Sequence, residues 1–294
     1  MFQAFYGFTS LPFAHARRSA PVGRQASRTL PTKDLFPTAS QKELGARLTY
    51  LVRERSVGLI TGDIGSGKST AVRACPCPRP PAGVGRCAAA SLDFNRYLVL
   101  YLANPTTGMT GLYRDLLLQL GVEPPFGQPR LVARIRTALE EVYLSKHRAP
   151  VVVLDEAHLL TQPMLEKLRL LFSDKMDSQS LATLVLVGHP DLRRTLHLTV
   201  HEAFNQRLAV RYHLGPLDLQ ETLGYIKHQI RVAGYSAGPL FTDEAIQRIF
   251  EYTKGVPRRI NQLCTTALMA GLIDQKSGID ESTIRKAIAD IDLE

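Results

Sequence analysis

Gly62-Asp63-Ile64-Gly65-Ser66-Gly67-Lys68-Ser69 packs three glycines, a lysine and two hydroxyls into eight residues, directly after the apolar run Val57-Gly58-Leu59-Ile60. The spacing G-x-x-x-x-G-K-[ST] is that of a phosphate-cradling loop delivered by a buried strand to a helix. Glycine lets the main chain curl so that successive N–H groups point inward at a β-phosphate. Lys68 then reaches the β- and γ-phosphates, and the Ser69 hydroxyl ligates Mg²⁺. Thr70 lies in the helix-compatible stretch Ser69–Arg73 that follows. The bland alternative is a glycine-rich turn with an incidental lysine; the strand in front and the helix behind disfavour it. The pattern implies a nucleoside triphosphate ligand.

A second pattern is Val151-Val152-Val153-Leu154-Asp155-Glu156. Four apolar residues ending in two acids place both carboxylates at the carboxyl tip of a buried strand, beside the phosphate loop in such an architecture. Asp155 would hold magnesium directly or through water, and Glu156 would polarise an attacking water. Acids also end strands simply to face solvent. With the phosphate loop upstream, the pair implies hydrolysis as well as binding.

The elements that must position these groups follow from periodicity. Besides 57–60, the segments 97–102, 151–154, 184–187 and 208–212 read as strands, and helical periods run over 109–120, 131–143 and 164–172. Alternating strand and helix predicts an α/β fold with a parallel sheet flanked by helices. After Pro216 only helices are expected. Thr242 and Asp280 are placed as N-caps with hydrophobic staples, and Asp218 with Glu221 as a capping box. Residues 1–215 therefore read as the α/β nucleotide-binding domain and 216–294 as a small helical domain. Two Arg/Pro-rich segments, 14–31 and 74–90, lack periodicity and read as insertions. The second interrupts the helix behind the phosphate loop, which either stops after about two turns or resumes near 88–92.

A chain of 294 residues, 45% hydrophobic, is long enough for a full core. It contains neither a signal peptide pattern nor an apolar run long enough to cross a bilayer, so a soluble cytoplasmic protein without membrane insertion is expected. Six of the nine surplus positive charges fall in the two Arg/Pro-rich segments, and the remainder of the chain is nearly balanced. Net charge alone therefore does not establish a nucleic-acid-binding face. Four cysteines do not make a disulfide framework at this length; Cys75, Cys77 and Cys87 crowd together but lack a fourth ligand for zinc.

These residues resemble the AAA+ ATPases of the ExeA/GspA type, whose origin-recognition-like ATPase core is related to the TniB, TnsC and MuB transposition helpers. The resemblance is carried by Phe5-Tyr6-Gly7-Phe8, Pro12-Phe13, Phe36-Pro37-Thr38, the helix 41–55 and Gly62–Thr70. It continues through Asp155-Glu156-Ala157-His158-Leu159-Leu160 to Gly255-Val256-Pro257-Arg258-Arg259-Ile260-Asn261. It implies a P-loop fold with a helical lid, ATP as the nucleotide and a homo-oligomer, either ring or filament.

The same resemblance implies that His189, in Val187-Gly188-His189-Pro190, is a sensor of the γ-phosphate or attacking water. It implies that Arg207, with Arg211 as its rival, is an arginine finger completing a neighbour's site. Arg258, with Arg259 as its rival, becomes a lid arginine contacting the γ-phosphate. Turn, surface and helix-start roles are the plainer readings of these five positions. Asp155-Glu156-Ala157-His158 also spells the DEAH helicase box, but one ATPase core lacks the tandem cores such helicases need. Among biological roles, a DNA-transposition helper that binds duplex DNA with ATP and recruits a transposase is expected first. A secretion-pathway ATPase is second, weighed down by the absence of a membrane segment after the lid. A nucleotide-gated scaffold with very slow hydrolysis is third.

Overall fold

Runs of leucine and β-branched residues form five strands, β1 (Val57–Gly62), β2 (Tyr97–Leu102), β3 (Ala149–Leu154), β4 (Thr183–Gly188) and β5 (Leu208–Leu214). They belong to a computed structural model that describes residues 2–13, 34–74, 96–103, 105–145, 147–172, 180 and 182–293. The strands make one sheet in the order β2-β3-β4-β1-β5, and every neighbouring pair is parallel. A parallel sheet needs cover on both faces, and the strand residues alternate accordingly. Leu59, Val152, Leu154, Leu184 and Leu186 point into one core, against the helices Gly108–Gln119, Gln128–Leu144 and Gln162–Phe172. Ile60, Val151, Val153, Val185 and Val187 point into the other, against Ala39–Arg53 and Lys68–Ala74. Each such fully buried aliphatic side chain contributes about 1.5–3 kcal/mol.

The helices begin earlier than their apolar periods suggest. Gln128–Leu144 and Gln162–Phe172 each start with a proline as second residue, where its missing N–H has no intrahelical partner to lose. The helix behind the phosphate loop is described over Lys68–Ala74. The rest of the segment 74–90, with Cys75, Cys77 and Cys87, lies outside the described residues, as does the whole of 14–31.

The chain divides into two units, one of 39–64 and 68–215 and the other of 1–38, 65–67 and 216–294. The N-terminal segment, expected within the α/β domain, thus belongs with the helices. Its aromatic residues explain why: Tyr6, Phe8 and Phe13 are buried in the helical core with Ile226, Ile249, Ile260, Leu263 and Ile284. Phe13 meets Phe241 edge-on at 6.4 Å between ring centroids, and the Thr9 hydroxyl donates to the Ala233 carbonyl at 2.9 Å.

The helices of this unit, Leu219–Val232, Asp243–Thr253, Pro257–Ile273 and Glu281–Asp292, carry caps where the side chains foretold them. Asp218 and Glu221 form a full capping box, Thr242 accepts from the Ala245 N–H at 3.2 Å, and Asp280 accepts from the Thr283 N–H at 2.9 Å. Gly255 turns the chain at φ 72°, and any Cβ there would come within 1.9 Å of the Leu217 carbonyl oxygen. Asn261 is structural: it is buried and accepts from the Tyr225 hydroxyl, whose own burial pushes its pKa up to about 12. Burial likewise raises the Cys264 thiol, which makes this residue a packing group rather than a nucleophile. Among the described residues, no helix is long and apolar enough to cross a membrane.

Candidate nucleotide site

The register aligns Thr61 with Gly188 and Leu154 with Leu186. The phosphate loop, Asp155-Glu156 and His189 therefore all leave the sheet at its carboxyl edge, with β4 between the loop-bearing strand and the acid-bearing one. That edge is where open parallel sheets bind ligands.

The loop is built as its glycines require. Gly65 and Gly67 lie at φ 84° and 89°, a region that side chains with a Cβ rarely enter. Ser66 between them is buried, and its hydroxyl has no hydrogen-bond partner among the described residues. A buried hydroxyl left this way costs about 1–3 kcal/mol until something pairs with it. Lys68 opens the helix and folds its ammonium back, donating to the Gly62 and Asp63 carbonyls at 2.8 Å each. Burial lowers its pKa, while the charges of Glu156, Asp155 and Asp63 pull it back up. The lysine therefore sits in the field of both strand-end acids. Ser69 and Thr70 are half-buried in the first turn of the same helix. An unpaired buried hydroxyl, curled glycines and a lysine backed by carboxylates fit a magnesium-bound triphosphate.

Asp155 is 4% exposed and both its oxygens are held. Oδ1 accepts the Glu156 N–H at 2.9 Å, and Oδ2 accepts the Tyr101 hydroxyl. Glu156 is exposed and adopts φ 51°, ψ 33°, a left-handed conformation costing about 1–2 kcal/mol for a residue with a Cβ. That twist separates the two acids, turning Asp155 inward and Glu156 outward. Glu156 Oε2 lies 3.4 Å from His158 Nδ1, so His158 belongs to the same cluster. His189 is also there, its ring centroid 6.1 Å from that of His158, with Nδ1 2.9 Å from Asp191 Oδ2.

Arg207 is not brought to this cluster. It lines a small crevice with Val57, Leu184, Phe172 and Phe204, at the amino ends of β1 and β4. Five residue steps along β1 separate Val57 from Gly62, about 16 Å of sheet. Arg211 is engaged locally, donating to the Asn205 carbonyl and Asn205 Oδ1 at 2.7 and 3.0 Å. In the helical unit, the Arg258 N–H donates to the Gly65 carbonyl at 3.3 Å, and a Cβ on Gly65 would come within 2.7 Å of Arg258 Cβ. Arg259 instead places its guanidinium 5.3 Å from the Tyr252 ring centroid.

Tyr101 is the residue that sequence reasoning passed over. It reads as an ordinary strand position, and only the adjacency of β2 and β3 reveals the reach of its hydroxyl to Asp155.

A parallel sheet that carries a lysine-bearing phosphate loop and, two strands away, an acid pair defines a P-loop nucleotide-binding protein. Residues 52–196 match the family model described as AAA domain, and that part of the chain belongs to this family. It is 30% identical to general secretion pathway protein A of Aeromonas hydrophila over 277 residues, 92% of this chain and 45% of that protein. The chain thus spans less than half the length of that relative. Its fold is similar to the ORC2 protein of Aeropyrum pernix in ADPNP–ADP complexes, with TM-score 0.63 and 14% identity, covering 96% of this chain and 72% of that one. The ORC1 protein of the same organism in complex with DNA gives TM-score 0.60 and 16% identity, covering 88% and 67%.

Proposed function

We propose that this chain binds ATP with Mg²⁺ and hydrolyses it, working as an oligomer on duplex DNA. The observation that carries the reading is the convergence of Lys68, Asp155 and Glu156 at one edge of the sheet, with Lys68 electrostatically coupled to both acids. The residues Gly62 to Thr70 would wrap the phosphates, with Lys68 exchanging its loop carbonyls for phosphate oxygens. Ser69 and Asp155 would hold the magnesium, which when bound neutralises charge on the phosphates. Glu156 would take a proton from water, because it is the exposed acid while Asp155 is buried and accepts two hydrogen bonds. His189 would orient that water or the γ-phosphate, and Arg258 would report phosphate occupancy to the helical unit. Arg207, at the far edge of its own sheet, would act on the site of a neighbouring copy. Purified chain incubated with ATP and Mg²⁺ should release phosphate; absence of both bound nucleotide and released phosphate removes this reading.

For its biological task we propose a DNA-transposition helper that assembles on duplex DNA with ATP and recruits a transposase. The likeness in fold to a protein solved in complex with DNA supports this choice. ATP-dependent retention of duplex DNA on filters, weakening steeply as salt rises, is the expected result; no retention at low salt rejects it. A secretion-pathway role is the second reading, favoured by the similarity to general secretion pathway protein A.

A further inference from the structure

We infer that Tyr101 and Gln119 form a positioning relay that sets the Asp155 carboxylate for the metal; the inference rests on the nucleotide-and-magnesium reading above. Among the described residues β2 is an edge strand, with no strand on its outer side. At Tyr101 a side chain takes that place. The Tyr101 N–H donates to Gln119 Oε1 at 2.9 Å, and Gln119 Nε2 donates to the Tyr101 carbonyl at 2.8 Å. A side-chain amide offers one acceptor and one donor in a plane, the same complement as a peptide group. Gln119 ends the helix Gly108–Gln119, which is anchored in the core by Leu112, Leu116 and Leu117. The grip therefore fixes the Tyr101 backbone to a rigid element.

From that fixed point the phenol reaches across to β3. Its hydroxyl donates to Asp155 Oδ2, while the Glu156 N–H donates to Oδ1. A carboxylate has about four lone-pair directions, so these two donors fix its rotation and leave the others for a cation or its water shell. The phenol is a neutral donor and leaves the carboxylate charge in place. Tyr101 is itself 40% exposed, so its ring is only partly buried. Its hydroxyl partner gives it a task that edge packing alone does not explain. Partners that orient a metal's ligands typically change metal affinity by about 10–100-fold when lost.

The test uses the full chain with a non-hydrolysable ATP analogue and Mn²⁺, read by the electron paramagnetic resonance signal of free Mn²⁺. Wild type should take up Mn²⁺ with the analogue. Tyr101→Phe should need about 10-fold more Mn²⁺, and Gln119→Met should shift in the same direction by less. Affinity for the analogue in excess EDTA should stay at the wild-type value in both, which reports an intact loop and fold. Wild-type Mn²⁺ uptake in both variants overturns the relay, and so does an equal loss of analogue affinity in EDTA, which would mark the two residues as structural. Failure of the wild type itself to take up Mn²⁺ is a different result, because it strikes the magnesium reading on which the relay stands.

Discussion

The two edges of the sheet are built differently. At the carboxyl edge, Lys68, Asp155, Glu156, His158 and His189 crowd within reach of one another's charge, on loops with left-handed backbone at Gly65, Gly67 and Glu156. At the amino edge, Arg207 lines a crevice with Val57, Leu184, Phe204 and Arg169. On the proposed reading, the carboxyl edge supplies the groups that would grip a polyphosphate and prepare water. The other edge carries Arg207, about 16 Å of sheet away. The two groups leave the sheet at opposite ends of β1 and β4, so Arg207 of one copy does not reach the acids of that same copy.

The contrast fails most visibly at Arg207. If this residue serves another copy, Arg207→Ala should lower phosphate release by about 10³-fold or more while leaving nucleotide affinity intact. Mixing Arg207→Ala with Lys68→Ala subunits should then restore turnover, since each supplies the half the other lacks; no restoration places Arg207 outside the chemistry. Next in size, Glu156→Gln should retain ATP binding and lose about 10²–10⁴-fold in hydrolysis, measured as single-turnover release. Lys68→Ala should weaken binding by about 100-fold, the loss of charge-assisted hydrogen bonds to phosphate, read by fluorescent-nucleotide titration.

A smaller effect comes from pH. Because burial lowers the Lys68 pKa, the ammonium is lost at a lower pH than a free lysine loses its own, so nucleotide affinity should fall with rising pH before the ordinary lysine range is reached. The sign for stability is opposite. A cation whose folded pKa lies below its unfolded value leaves the folded state with fewer protons, so this group's contribution to stability improves with rising pH across that window. Finally, Arg211→Ala should change turnover by no more than about twofold, as expected of an exposed arginine engaged with its own loop; a loss as large as that of Arg207→Ala would exchange their roles.

The carboxyl edge was largely legible in the sequence because it is written in consecutive residues. The loop from Gly62 to Ser69 and the run ending in Asp155-Glu156 each carry their own strand, and apolar periodicity reports burial directly. What periodicity does not report is which strand lies beside which. The insertion of β4 between β1 and β3 brings His189 to the cluster, and the pairing of β2 with β3 lets Tyr101 reach Asp155; neither is encoded locally. The N-terminal aromatic residues show the same limit from another side. Phe8 and Phe13 announce burial, but not that their core is made of helices more than 200 residues away. The capping residues Asp218, Thr242 and Asp280 were readable because a cap acts within three residues of itself.

The Gln119 amide clasped to the outer side of β2 has a meaning for solubility. An exposed strand rim is a template on which a foreign polypeptide can zip itself, and this rim is stoppered at Tyr101 by an amide already seated in the plane of the sheet. A misfolded neighbour seeking to extend the sheet would have to evict a glutamine that is tied to a buried helix. That amide blocks adhesion at the strand beside the one that leads into Asp155.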